Sequence, residues 1–354
     1  MNVWGTKLKL TIFGESHGDA IGAVLDGIPA GLSIDMEFIN REMMRRAPGN
    51  DKFSTPRKEA DRVEILSGVF EGKTCGTPIC GIIRNTNTRS KDYTPELLRP
   101  GHADYTGFLK HGENHDFRGG GHFSGRVTAG LVFAGAIAKL YLKQFGTHVG
   151  SHIKNIHGIC EDSFEESVLT PEMFANLSQK NFPTINDEIG KKMQNEILDA
   201  AANGDSVGGI IECGAIGVNP GKGSPFFASL ESLISSLVFS IPAVKGIEFG
   251  RGFDFANMYG SEANDPFCTD GKNIFTTTNH NAGINGGISN GMPIVFSTVI
   301  KPTPSISKLQ NTVDKVKMEN TTIKVNGRHD PCILKRAAVV VESAMALALT
   351  EAYL

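Results

Sequence analysis

From Val127 to Leu142 the sequence carries a single charge, Lys139, and its apolar residues fall on every side of a helix. A helix with no polar face must lie between two other layers or across a membrane. A membrane span needs ~20 apolar residues, so the segment 124–145 is expected to be a buried core helix. Ser124 stands at its N-cap position and Gly146 just past its end. The segment 334–354, rich in Ala, Val and Leu, predicts a second apolar helix. Strand-like stretches at 7–13, 21–28, 63–69, 79–83, 206–218 and 293–300 are interspersed with these helices. Amphipathic helices are expected at 36–46, capped by Asp35, from Pro171 after Thr170, and at 187–202. With no repeat and no low-complexity linker, the pattern predicts an α+β fold in one domain spanning 1–354.

Composition narrows the function classes. The net charge is −3, so the broad basic footprint of a nucleic-acid binder is absent and no nucleic-acid partner is expected. The 41 glycines and 16 prolines are scattered, which implies many turns and close backbone approaches. Six cysteines include no Cys-x-x-Cys pair, so no zinc or thioredoxin-like site is expected, and no metal. The first residues carry no basic stretch followed by an apolar run. The expectation is therefore a cytoplasmic protein with free thiols and no membrane partner.

Common nucleotide motifs fail. Gly72-Lys73-Thr74 lacks the first glycine of a phosphate loop, since position 67 is Ser. The Gly-x-Gly sites at 119, 221 and 250 lack the third glycine of a dinucleotide fingerprint. Gly14-Glu15-Ser16-His17-Gly18 matches a hydrolase nucleophile elbow, but the following residues look like a strand, not the required helix. His148, His152 and His157 lie on a strand-like segment and predict surface or hydrogen-bonding roles. Between Arg41 and Arg62 seven basic residues face four acids, a local +3 suited to phosphate or carboxylate. Arg45 and Arg46 could equally serve the C-terminal dipole of their own helix. Arg118-Gly119-Gly120-Gly121 opens onto a helix start, a place where backbone N–H groups hold anions.

Taken in order, several segments resemble the chorismate synthase family across essentially the whole chain. They are Gly14 to Gly18, Arg45-Arg46-Ala47-Pro48-Gly49, and Arg99 to Tyr105 with His102 at its centre. Ser124-Gly125-Arg126, Ala243 to Glu248, Gly286 to Ser289, Lys301 to Ser305 and Arg328 to Cys332 complete the set. The resemblance implies a layered sandwich with buried helices between antiparallel β-sheets, assembled as a homotetramer. It implies a lyase that converts 5-enolpyruvylshikimate 3-phosphate to chorismate and phosphate by an anti 1,4-elimination needing reduced FMN.

By the same resemblance, His17 would be the acid for the leaving phosphate, with Ser16 beside it. His102 would lie near the flavin, and Asp330 would relay a proton. Arg45, Arg126 and Arg328 would face the substrate's anions. Flavin contacts would come from His122, Phe123, Ser124, Pro242, Ala243, Gly286, Lys301, Pro302, Thr303, Pro304, Ser305 and Arg328. Arg46 and Lys52 match positions assigned to NADPH, here an indirect electron source. The family's usual Arg stands as His122 in this chain, and Lys52 replaces an Arg. No room exists for the insertions of self-reducing forms, so an external flavin reductase is expected. Asp330-Pro331 also suits an N-cap and first helical residue. The alternative functions are a serine hydrolase through Ser16 or a non-catalytic flavin-binding module.

Overall fold

The structure, a computed structural model, describes residues 2–48, 61–86, 94–164, 169–325 and 330–354. Two helices with no polar face stand at its centre. Thr128–Lys143 and Leu334–Tyr353 pack side by side. Gly135 permits this, because a methyl at that position would overlap Ser343. A five-stranded antiparallel sheet covers the first helix, in the order Val3–Trp4, Lys9–Gly14, Ala20–Asp26, Ile79–Arg84, Val63–Ser67. A second covers the terminal helix, in the order Val244–Phe249, Ile294–Ile300, Gly209–Ile216, His148–Ile156, Ile159–Cys160. Met36–Arg46 and Leu230–Val238 complete the helical layer. One hydrophobic cluster runs through all three layers, from Leu8 to Tyr353. The fold is thus the expected α+β sandwich.

A fourth, thinner layer lies outside the second sheet. Helix Pro171–Gln179 begins with its predicted Thr170 cap and rests Phe174 and Leu177 on Phe164, Leu169 and Val295. The helix Asp187–Ala202 also has the predicted bounds. Gly125–Lys143 is long and apolar enough by composition to cross a membrane, yet most of it is buried within the protein.

Three expectations need correction. The segment 124–145 does not enter its helix directly: a tighter 3-10 turn, Gly125–Val127, precedes Thr128, and Ser124 caps that turn. Asp330 does not cap the terminal helix, whose N-cap is Ile333, so Pro331 lies before the helix. His152 is not a surface residue: it is fully buried, although its hydrogen-bonding role stands.

His152 faces two carboxylates, one on each ring nitrogen. Nδ1 donates to Glu161, and Nε2 donates to Glu212 at 2.8 Å. Burial opposes its charge, but the hydrogen bonds to Glu161 and Glu212 outweigh burial and hold its pKa above the ordinary value. Burial likewise opposes Glu212, yet His152 and Lys154 bring its carboxyl to about 2. The His152 contribution is full below the unfolded pKa near 6.5 and fades as pH rises through the raised folded value. The Glu212 contribution is full above 4.5 and fades as pH falls toward 2. His152→Gln should cost about 3–5 kcal/mol at pH 6, because an amide cannot donate to both carboxylates. Chemical denaturation across pH checks this: the variant should lose the alkaline decline in midpoint.

Candidate active site

The turn after strand Lys9–Gly14 carries Ser16 and His17 back into strand Ala20–Asp26. A strand follows where a nucleophile elbow needs a helix, and Ser16 is 1% exposed. The hydrolase reading therefore has neither its turn nor an accessible hydroxyl. Asn85 fixes the turn: its Nδ2 donates to Glu15 O at 3.0 Å and Gly18 O at 2.8 Å. Its Oδ1 accepts from Arg126 Nε at 3.0 Å.

Opposite the turn runs Gly119-Gly120-Gly121, with φ of 61°, 84° and 53°. This left-handed path suits glycine, and it passes between two histidines. A methyl on Gly119 would fall 2.6 Å from the His17 ring and 2.8 Å from Ser16 Oγ. A methyl on Gly120 would fall 3.2 Å from His102 Cε1. Bare backbone thus sets the separation of His17 from His102. Gly119→Ala should displace His17 and lower turnover about 10²-fold, as small misplacements of reacting groups do. Steady-state kinetics beside a melting curve would check it, with the fold expected to survive.

His102 Nδ1 donates to Asp104 Oδ1 at 2.8 Å, which leaves Nε2 beside Gly120. Arg99 grips the same carboxylate at 2.8 and 2.7 Å. Burial opposes Asp104's charge, but the hydrogen bonds from Arg99 and His102 hold its carboxyl well below the usual range. His122 Nδ1 donates to Gly14 O at 2.8 Å.

These groups line a cleft of about 930 Å³. His17, His102, His122, Phe123, Ser124, Arg126 and Asp330 contribute to its walls, as do Pro242, Ala243, Lys301, Thr303, Pro304 and Ser305. Ile12, Val127, Leu131 and Leu237 supply apolar surface. Thr303 Oγ1 is buried without a hydrogen-bond partner, and such an atom asks for a ligand. Burial, then the neighbouring Lys245, draw the Lys301 ammonium below its ordinary range. Gly101 O accepts from Lys301 Nζ.

Several expected residues lie elsewhere. Arg45 turns away from the cleft into the helical layer. Its guanidinium donates to Glu342 at 2.7 and 2.6 Å and to Glu42 at 2.9 Å, and Lys139 joins both carboxylates. Two cations and two carboxylates balance there. Burial opposes Glu342's charge, but Arg45 and Lys139 hold its carboxyl at about 2. Arg45, expected to face the substrate's anions, is in this structure a member of a core ion-pair set, with its fork on Glu342. Arg46 lines the cleft, is 1% exposed and is bound to Asp61. Ser16 sits behind the cleft wall, and Pro302 is exposed beside it. Gly286 lies in the turn between Ile284–Asn285 and Ile288–Ser289, away from the cleft. Arg328 and Lys52 lie outside the described residues.

Sequence reasoning missed Arg336, Asn85 and the role of Asp61. Arg336 Nη1 donates to Asp330 Oδ2 at 2.6 Å, and its Nε donates to Arg46 O at 2.9 Å. The i, i+6 separation of Asp330 and Arg336 across a helix start carried no periodic signal.

Two partly exposed histidines set apart by glycine backbone, with arginines and an apolar surface, line one cleft on an α+β sandwich. A sequence profile described as chorismate synthase matches residues 8–354, and the chain belongs to that family. The chorismate synthase of Archaeoglobus fulgidus is 48% identical over 357 residues, covering 100% of this chain and 97% of that protein. That of Methanobrevibacter smithii is 46% identical over 353 residues, covering 99% and 95%. A crystal structure of a chorismate synthase superposes with a TM-score of 0.76 at 31% identity, covering 99% of this chain and 92% of its own. The chain accordingly has the lyase activity of this family.

Proposed function

We propose that the cleft holds reduced FMN beside 5-enolpyruvylshikimate 3-phosphate and expels phosphate by an anti 1,4-elimination, giving chorismate. The observation that carries this reading is the meeting of His17 and His102 across the glycine run, beside clustered guanidinium charge. Elimination of phosphate needs a proton and neutralised charge at the leaving oxygen. His17 supplies the proton and Arg126 the neutralising charge. His102, its tautomer set by Asp104, offers Nε2 to the bound flavin. Asp330 receives the proton released from the substrate ring.

The lining residues suit a flavin. The apolar wall fits a fused ring, the orphaned Thr303 hydroxyl a polar chain, and Lys301 with Lys245 a phosphate. When bound, reduced flavin supplies transient electron density to a reaction with no net redox change. We also propose a single domain over 1–354, cytoplasmic and homotetrameric, with NADPH serving through an external reductase. All six cysteines are free, as in a reducing compartment. Exposed Phe226, Phe227, Phe253 and Phe267 support burial against further copies.

An anaerobic phosphate-release assay tests the reading. Release from 5-enolpyruvylshikimate 3-phosphate should require reduced FMN and stop with oxidised FMN. Release without flavin would mean hydrolysis, and no release at all would mean a binding module.

A further inference from the structure

Asn85 is the first residue beyond strand Ile79–Arg84. That strand pairs antiparallel with Ala20–Asp26, in a register that sets Arg84 against Ala20. The ladder runs on by one bond, in which Asn85 N donates to Asp19 O at 3.1 Å. The register thereby delivers the Asn85 side chain to the turn that carries Ser16 and His17. Its Nδ2 donates to Glu15 O at 3.0 Å and to Gly18 O at 2.8 Å. Its Oδ1 accepts from Arg126 Nε at 3.0 Å.

The three partners fix which way the amide faces. Carbonyl oxygens only accept and a guanidinium only donates, so the nitrogen points to the turn and the oxygen to Arg126. A carboxylate in the same place offers the carbonyls no donor, and a serine hydroxyl has one O–H for two of them. Glu15 O belongs to the peptide unit before Ser16, and Gly18 O to the unit after Gly18. Peptide units are planar, so holding both constrains the backbone between them and the direction in which His17 leaves it. Asn85 is half-buried and is not among the residues that line the cleft, whereas His17 and Arg126 both line it.

We propose that Asn85 is a positioning residue for the elimination: through the Glu15 and Gly18 carbonyls it aims the His17 ring, and through Arg126 it ties that aim to the cation beside the leaving phosphate. This rests on the reading of His17 as the acid and Arg126 as the neutralising charge. Proton and charge must meet at one leaving oxygen, and a misplacement of about 1 Å costs such an arrangement about 10²-fold.

The test is a double-mutant cycle on kcat and KM, read with saturating reduced FMN beside melting curves. Asn85→Ala should lower kcat by about 10²-fold and move KM for 5-enolpyruvylshikimate 3-phosphate by less than about threefold, because Arg126 keeps its bond to Asp61. Asn85→Asp keeps the shape and the acceptor for Arg126 but loses both donors, so its kcat should fall to a similar degree. In a His17→Ala background either change should cost under about threefold, since an absent ring cannot be mis-aimed. A role in folding alone would lower the melting temperature equally in both backgrounds and leave the kcat of folded protein unmoved. Near-wild-type kcat in folded Asn85→Ala or Asn85→Asp, or losses that multiply in full with that of His17→Ala, overturn the proposal. If His17→Ala itself leaves kcat near wild type, the acid reading falls and the proposal falls with it. If Asn85→Ala does not fold, Asn85→Asp carries the cycle: coupling to His17→Ala supports the proposal, and full multiplication overturns it.

Discussion

Replacing His17 with alanine is expected to lower turnover about 10²–10⁴-fold, the range that positioned proton donors supply, while the protein folds and binds flavin normally. The ring stands on a turn held by Asn85, Ser16 N and Gly121 O, none of which uses the imidazole. Removing the ring leaves these backbone and Asn85 contacts in place. Turnover within about threefold of wild type would exclude proton donation by His17. A fluorophosphonate adduct on Ser16 that blocked an esterase activity would restore the hydrolase reading.

Asp330→Asn is the second large effect. It should leave the melting temperature and flavin binding close to wild type and cut turnover by about 10²-fold or more. The helix-capping role, which would have offered a purely structural explanation, belongs instead to Ile333. Asp330 accepts a bond from Arg336, and an asparagine oxygen can accept that bond as well. A side chain that only orders Arg336 tolerates the change, whereas one that must carry a proton does not. Near-wild-type turnover with saturating reduced FMN would sink the relay.

Much of this architecture was legible in the sequence. The all-round apolar runs around Leu131 and Val341 marked the inner layer, since no other place in a folded chain accepts such a helix. Asp35 and Thr170 marked helix starts because capping is local chemistry, read from neighbouring residues. Ion pairing was not legible. Arg45 and Arg46 are adjacent in sequence and point into different worlds, one toward Glu342 and one toward Asp61. Helical geometry turns them about 100° apart, but which of the two faced the cleft depended on the partner 297 residues away. His152 was misplaced for a similar reason: Glu161 and Glu212 reach it only through strand pairing and the loop that follows.

The terminal helix also imposes an order on biosynthesis. Both sheets lie upstream of residue 301, and both rest their apolar faces on a layer that is incomplete until residues 334–353 have been added. Glu351 then accepts the backbone N–H groups of Thr6, Lys7 and Leu8, stitching the earliest strands to the last turn. On a ribosome adding ~5–20 residues per second, the greasy undersides of two sheets wait many seconds for their wedge. Until residues 334–353 have been made, the two sheets lack the surface on which they close, so their packing is a late step however early their strands emerge.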